Sequence, residues 1–353
     1  MISFENDSML KEDIQQCAAS WKHYHNQTFF VTGATGLVGS MIVKSIIYAN
    51  EVFNCNNRVI AAVRNTEKLR RVLGPFMEQD GLIAEEISLE KPIHSEFDVD
   101  YLIHCASPTA SKFFVTNPVE TISVAVNGTL HVLQFAAEKK VKAAVYLSSM
   151  EMYGNVQKEE RTDETQLGII DVLNIRSSYS EGKRLCECLC ASFVNEYQVP
   201  VRIARLAQTF GAGVPESDNR VFAQFSKCAL NQQDIVLHTD GTSFGNYCYT
   251  SDVICGIAVI LEKGKSGEAY NIVNEETTIQ IRDMAQMVCE KIADNAIKVV
   301  FDIPEDSLKY GYAPPTRLRL SSKKLTTLGW KPTYNLEEMY IRTIQSYKDR
   351  DIR

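Results

Sequence analysis

The chain has 353 residues, of which 45% are hydrophobic and 23% charged, an ordinary globular mix that buries a core without disulfide or metal staples. Its 44 acidic against 37 basic side chains leave a net charge of −7. That balance excludes the basic footprint of a nonspecific nucleic-acid binder, though not a small anionic ligand held by a few arginines or backbone amides.

Residues 1–27 read as a polar lead-in in which Leu10, Ile14, Cys17, Ala18 and Trp21 fall at helical spacing. It has no basic stretch followed by an apolar one, so secretion is not expected. Thr28–Thr32 reads as a strand that runs into a glycine-bearing turn and an apolar helix, Leu37–Asn50. Further strands are expected at Arg58–Val63, Val99–His104, Ala143–Ser148 and Pro200–Leu206, with helices at Asn117–Glu138 and Tyr179–Tyr197. This alternation predicts an α/β architecture: a Rossmann-type doubly wound parallel sheet over residues 28–208. Past residue 208, Gly211, Gly213, Pro215 and Asn219 break the rhythm, and helices are expected at Val221–Asn231 and Thr278–Ala293. Residues 209–353 are read as a smaller, mainly substrate-binding lobe interleaved with the last sheet strands.

The longest uncharged runs, such as residues 121–137, carry Asn127, Gly128, His131 and Gln134, too polar for a bilayer span, so no membrane contact is expected. None of the ten cysteines forms a CxxC pair, as suits buried thiols of a cytoplasmic protein. Cys186 and Cys190 share a helical face that Cys188 does not, which argues for packing and against a metal site.

Three groups of residues carry chemistry. Val31-Thr32-Gly33-Ala34-Thr35-Gly36-Leu37-Val38-Gly39 follows the first strand and opens the first helix. There Gly33 permits a tight turn, Gly36 lets backbone approach a pyrophosphate, and Gly39 lets helix and strand pack closely. Gly33, Thr35, Gly36, Leu37, Val38 and Gly39 are therefore the expected dinucleotide contacts. The second strand ends Val63-Arg64-Asn65, where a carboxylate would read the ribose hydroxyl of NAD. An arginine there suits a 2′-phosphate, so NADP is favoured and NAD remains possible. Finally, Tyr179 and Lys183 stand at i and i+4 on one helix face. A nearby ammonium and a positive cofactor ring would lower the phenol's pKa toward the working range of a general base. The strand ending Leu147-Ser148-Ser149 offers a hydroxyl beside the same oxygen.

Together with Asp100-Tyr101-Leu102-Ile103-His104-Cys105-Ala106-Ser107, Asn127-Gly128-Thr129 and Tyr153-Gly154, these motifs occur in one order over about residues 28–345. The set resembles an extended short-chain dehydrogenase of the NAD(P)-dependent epimerase/dehydratase family acting on nucleotide sugars. UDP-glucuronate decarboxylases are nearest in texture, with dTDP-glucose 4,6-dehydratases next. Later landmarks are Arg205, Thr209-Phe210-Gly211, Tyr249-Thr250-Ser251-Asp252-Val253 and Leu328-Gly329-Trp330-Lys331-Pro332.

The resemblance implies that Tyr179 takes the proton of a sugar 4-hydroxyl, Lys183 holds the cofactor ribose and Ser149 bonds the reacting oxygen. It places Glu86 and Ile87 against adenine, Cys105, Ala106 and Ser107 over the cofactor, and Gln208, Arg220 and Arg317 around the substrate. It also implies a two-fold dimer through the two central helices. Val124, Leu130, Leu133 and Phe135 on one, and Leu185, Leu189, Phe193 and Val194 on the other, are apolar beyond the sheet's need.

Three positions depart from the pattern. Met150 stands where the dehydratases carry an acid, and a thioether delivers no proton. Gly245 stands where the decarboxylases carry an arginine, and Gln208 where many relatives have asparagine. The expected reaction is therefore oxidoreduction or epimerisation at C4 through a 4-keto sugar, with Glu151 as proton shuttle beside the ketone. The alternatives are a decarboxylase or dehydratase with an altered acid, and a catalytically silent nucleotide-binding regulator.

Overall fold

The computed structural model describes residues 6–109, 111–156, 158–303 and 316–351. The first half runs α1 (Ser8–Ala18), β1 (Thr28–Thr32), α2 (Leu37–Phe53), β2 (Arg58–Val63), α3 (Thr66–Leu73) and β3 (Leu82–Glu86). It continues with β4 (Tyr101–His104), α4 (Ser111–Thr116), α5 (Pro118–Lys139), β5 (Ala143–Ser149), α6 (Ser177–Tyr197) and β6 (Val201–Leu206). The second half runs β7 (Gln208–Phe210), α7 (Val221–Leu230), β8 (Ile235–Leu237), β9 (Phe244–Tyr249), α8 (Thr250–Lys263) and β10 (Ala269–Ile272). It ends with β11 (Asn274–Gln280), α9 (Ile281–Met287), β12 (Val299–Phe301), α10 (Lys323–Thr327) and α11 (Leu336–Asp349).

Seven strands form one sheet in the order β3-β2-β1-β4-β5-β6-β10, each neighbouring pair parallel. The order reverses between β1 and β4, which opens a crevice at their carboxyl ends. Period-two alternation divides each central strand between two cores. Phe29 and Val31 of β1, with Val145 and Leu147 of β5, pack with α2 and α8. Phe30, Ala144 and Tyr146 pack on the other face with α5 and α6. The doubly wound sheet is the architecture that the alternation of strands and helices predicts.

The second lobe is built on β11-β9-β7, in which β11 runs antiparallel to β9. Its core holds Phe210, Phe225, Tyr247 and Tyr340, with Phe210 stacked on Phe222 at 4.6 Å. The helix expected over Thr278–Ala293 begins only at Ile281, because residues 278–280 belong to β11. The β-branched run Thr277-Thr278-Ile279 suits a strand, and the Thr277 hydroxyl donates to the Tyr247 carbonyl (2.8 Å). β3 was not anticipated. It is an edge strand with no fully buried residue, so it lacks the alternation that marks a half-buried strand.

α1 joins the main core through Ile14 and Cys17. Its Asp13 is buried, accepting from Arg342 Nη2 (2.7 Å) and from the Tyr249 hydroxyl (2.8 Å). Burial pushes the Asp13 carboxyl up to about 7, against the pull of Arg342.

Leu133, Phe135 and Phe193, expected at a dimer face, are instead buried beneath the sheet. The exposed large hydrophobic residues on the two central helices are Val119, Ile122, Leu185 and, at the far end of α6, Tyr197. The ten cysteines are free thiols, with Cys186 and Cys190 buried and Cys188 exposed. Among the described residues no helix is long and apolar enough to cross a membrane, and no cluster of metal-ligating side chains occurs.

Candidate active site

The turn between β1 and α2 is a cradle made of backbone. Gly33 has φ +68°, and a Cβ there would lie 2.7 Å from the Ala106 nitrogen. A Cβ at Gly39 would overlap the Gly33 carbonyl oxygen. Gly36 is the N-cap of α2 and brings no capping side chain, so the first amides, at Leu37, Val38 and Gly39, have no intrahelical acceptor. Thr35 is half-buried within the turn.

Cys105, Ala106 and Ser107 close the cradle from the end of β4, and the Ala106 amide donates to Thr32 Oγ1 (3.3 Å). Behind it His104 Nδ1 lies 2.7 Å from Thr32 Oγ1, and Nε2 lies 3.3 Å from Thr129 Oγ1. Burial, with Lys183 nearby, lowers His104 to about 3, so the ring is neutral. A concave turn without side chains, at a helix N-terminus with free amides, fits a dinucleotide pyrophosphate.

At the end of β2, Arg64 is exposed and Asn65 caps α3 through the Lys68 amide (2.7 Å). β3 lies alongside, with Glu86 opposite Val63 and the Ile87 amide donating to the Val63 carbonyl (2.8 Å). The tertiary structure thus sets an acid one residue from Arg64 in register, where the sequence of β2 has none.

β5 and α6 deliver the reactive groups. The Lys183 ammonium is 3% exposed and donates to the Leu147 carbonyl (2.8 Å). It lies 5.8 Å from the centroid of the Tyr179 ring, one helical turn away. Burial lowers Lys183 from 10.5 to about 8. Tyr179 stacks on Phe114, with centroids 4.2 Å apart and an interplanar angle of 7°. Phe114 was missed from sequence, because an aromatic in a short helix carries no signal of what it stacks on. Ser149, Arg220 and Arg176 act on the Tyr179 phenol in the direction of the phenolate. Burial first and Glu151 second oppose it more strongly, so the phenol stands above its usual value.

Glu151 lies in the turn Met150–Tyr153 after β5 and is gripped by Arg176, with Nη1–Oε2 at 2.9 Å and Nη2–Oε1 at 3.4 Å. Sequence reasoning missed Arg176, which lies 25 residues from its partner. Met150 is buried in an apolar cluster with Met152, Tyr153 and Leu320. At Gly245 a Cβ would overlap the Tyr247 ring, so a larger side chain has no room. Gln208 opens β7 opposite Tyr247. Arg220 caps α7 and is forked on Asp218, with Nη2–Oδ2 at 2.6 Å and Nε–Oδ1 at 3.1 Å. Arg317 is exposed. The structure therefore brings together Ser149, Glu151, Tyr179, Lys183 and the field of Arg220. Arg317 is not seen to join them.

Known proteins point the same way. The model of the NAD dependent epimerase/dehydratase family matches residues 29–273. UDP-glucuronic acid decarboxylase 6 of Arabidopsis thaliana is 32% identical, over 89% of this chain and 86% of the relative. UDP-glucuronic acid decarboxylase 1 of Danio rerio is 30% identical, over 90% and 72%. Among solved structures, UDP-glucose 4-epimerase of Thermotoga maritima shares the fold with a TM-score of 0.77 and 22% identity, covering 92% of this chain and 99% of that one. Sheet order, glycine cradle and family match agree, and the chain belongs to the NAD dependent epimerase/dehydratase family of enzymes.

Proposed function

We propose that the protein oxidises C4 of a nucleotide-activated sugar and reduces or inverts the resulting 4-keto species. The observation that carries this reading is the convergence of Ser149, Glu151, Tyr179 and Lys183 beside a glycine cradle. A bound oxidised nicotinamide dinucleotide supplies a hydride acceptor and a positive charge that favours the Tyr179 phenolate. Tyr179 takes the 4-hydroxyl proton, and Ser149 holds the same oxygen. Lys183, anchored on the Leu147 carbonyl, is placed to hold the cofactor ribose. Glu151 moves a proton at a carbon beside the ketone, where the C–H bond is acidified.

The cradle residues and Cys105, Ala106 and Ser107 hold the cofactor, with Glu86 and Ile87 toward adenine. Exposed Arg64 favours NADP. Gln208, Arg220 and Arg317 hold the substrate. Two copies pair through Val119, Ile122 and Leu185 of α5 and α6, and ten free thiols suit the cytoplasm.

Decarboxylation of a nucleotide-activated uronic acid is the second reading, favoured by likeness to the Arabidopsis enzyme. A 4-keto uronic acid is a β-keto acid, so it shares the first step. The crowding at Gly245, where that chemistry's arginine was expected, weighs against it. A silent regulator has no use for Ser149, Tyr179 and Lys183 assembled in one place.

The test is mass spectrometry of UDP-glucose and UDP-glucuronate incubated with cofactor and enzyme in deuterated water. Deuterium beside C4, lost in Glu151→Gln while hydride transfer persists, supports the shuttle. Loss of hydride transfer together with exchange places Glu151 in the redox step or in substrate binding, and absence of any hydride transfer favours the regulator.

A further inference from the structure

Arg176 stands where local rules disfavour a cation. It is the N-cap of the 21-residue α6, the end at which helix amides carry partial positive charge and an acceptor side chain is preferred. Its side chain caps nothing. Both terminal nitrogens go to Glu151, while Nε is buried with no hydrogen-bond partner.

Two neighbouring arginines behave differently. Arg184 donates to the carbonyls of Met152, Tyr153 and Gly168. Arg205 donates to Glu187, to the Tyr153 hydroxyl and to the Glu164 carbonyl. Those two tie loops to the framework. The Arg176 side chain serves one carboxylate, and that carboxylate acts electrostatically on Tyr179. A broken capping rule and an unsatisfied buried donor in one residue mark a position kept for something other than the helix.

We propose that Arg176 is a positioning residue whose planar fork sets the orientation of the Glu151 carboxylate for proton transfer. This rests on the reading of Glu151 as the shuttle. The fork occupies one lone pair on each oxygen and leaves the others fixed in the carboxylate plane, available to the sugar. One free lone pair takes the proton from the carbon beside the 4-ketone. The C–H electron pair moves into an enolate whose charge rests on the ketone oxygen; the carboxyl proton exchanges with water, and the same Glu151 oxygen then returns a proton to that carbon. No oxidant or reductant enters. A lysine, as a point charge, neutralises Glu151 without fixing its plane.

The experiment measures deuterium incorporated per hydride transferred, with UDP-glucose and UDP-glucuronate as probes and the full chain loaded with cofactor. Arg176→Met should lower that ratio about 100-fold, and Arg176→Lys about tenfold. Guanidinium ion added to Arg176→Ala should restore part of the ratio, which a merely misfolded variant would not show. An unchanged ratio in all three variants overturns the proposal, as does a proportional fall of exchange and hydride transfer. Glu151→Gln separates the two levels. If it loses exchange while the Arg176 variants keep it, only the positioning role fails; if it keeps exchange, the shuttle reading fails with it.

Discussion

The glycine cradle after β1 and the junction of β5 with α6 lie on the same edge of the sheet and are built by opposite means. The cradle is main chain: two glycines leave no space for a Cβ, and the helix end offers bare amides. The junction is side chains, a hydroxyl, a phenol, an ammonium and a forked ion pair, gathered from two elements and the turn between them. Backbone recognition at these two glycines tolerates almost no substitution. Side-chain chemistry changes one group at a time, as Met150 and Gly245 show, while the sheet beneath stays the same. On the proposed function, the first region binds and the second reacts.

The largest expected effect separates those assignments. Tyr179→Phe should lower hydride transfer by about 10³-fold, since a proton carrier is removed, with cofactor affinity within threefold in a fluorescence titration. Gly39→Val should do the reverse. Its side chain has nowhere to go against Gly33, so cofactor affinity should fall by about 100-fold and stability by about 1–3 kcal/mol in a urea melt. A valine variant that binds normally would end the division of labour.

Next in size is a pH effect at the junction. Lys183 titrates at about 8 when folded and 10.5 when unfolded, so the unfolded chain binds the extra proton between those values. Stability of the parent relative to Lys183→Met should therefore rise from pH 8 to 10.5 and be flat below 8, as parallel urea melts would show. A flat difference throughout would mean the ammonium is not desolvated as its burial implies. The smallest effect sharpens the cradle's edge. Arg64→Ser should weaken NADP about tenfold relative to NAD in paired titrations. The nearby Glu86 makes the opposite result, a parent that prefers NAD, the outcome to watch.

Much of the cofactor half was readable because its signals are local. Thr28–Thr32 and Arg58–Val63 appear as strands with the limits expected of them. Gly33, Gly36 and Gly39 act through contacts within a few residues or across one neighbouring strand. The Tyr179–Lys183 pair follows from helical spacing alone. The Thr278–Ala293 segment failed because its first three residues finish β11, with Ile279 and Gln280 paired to β9, before the helix begins. β3 failed because an edge strand buries little and shows no period.

By itself, then, the sequence determined the βα rhythm, the glycine cradle and the i, i+4 pairing of phenol and ammonium, since each depends on neighbours a turn or a strand apart. Only the tertiary structure decided that Arg176 grips Glu151 and that Glu86 stands beside the arginine expected to choose the cofactor. It also decided that Phe114 stacks on Tyr179, and that burial raises the phenol's pKa. These are long-range meetings of side chains in a desolvated crevice. Their energies depend on distance and dielectric, and a chain met as letters contains neither until it folds.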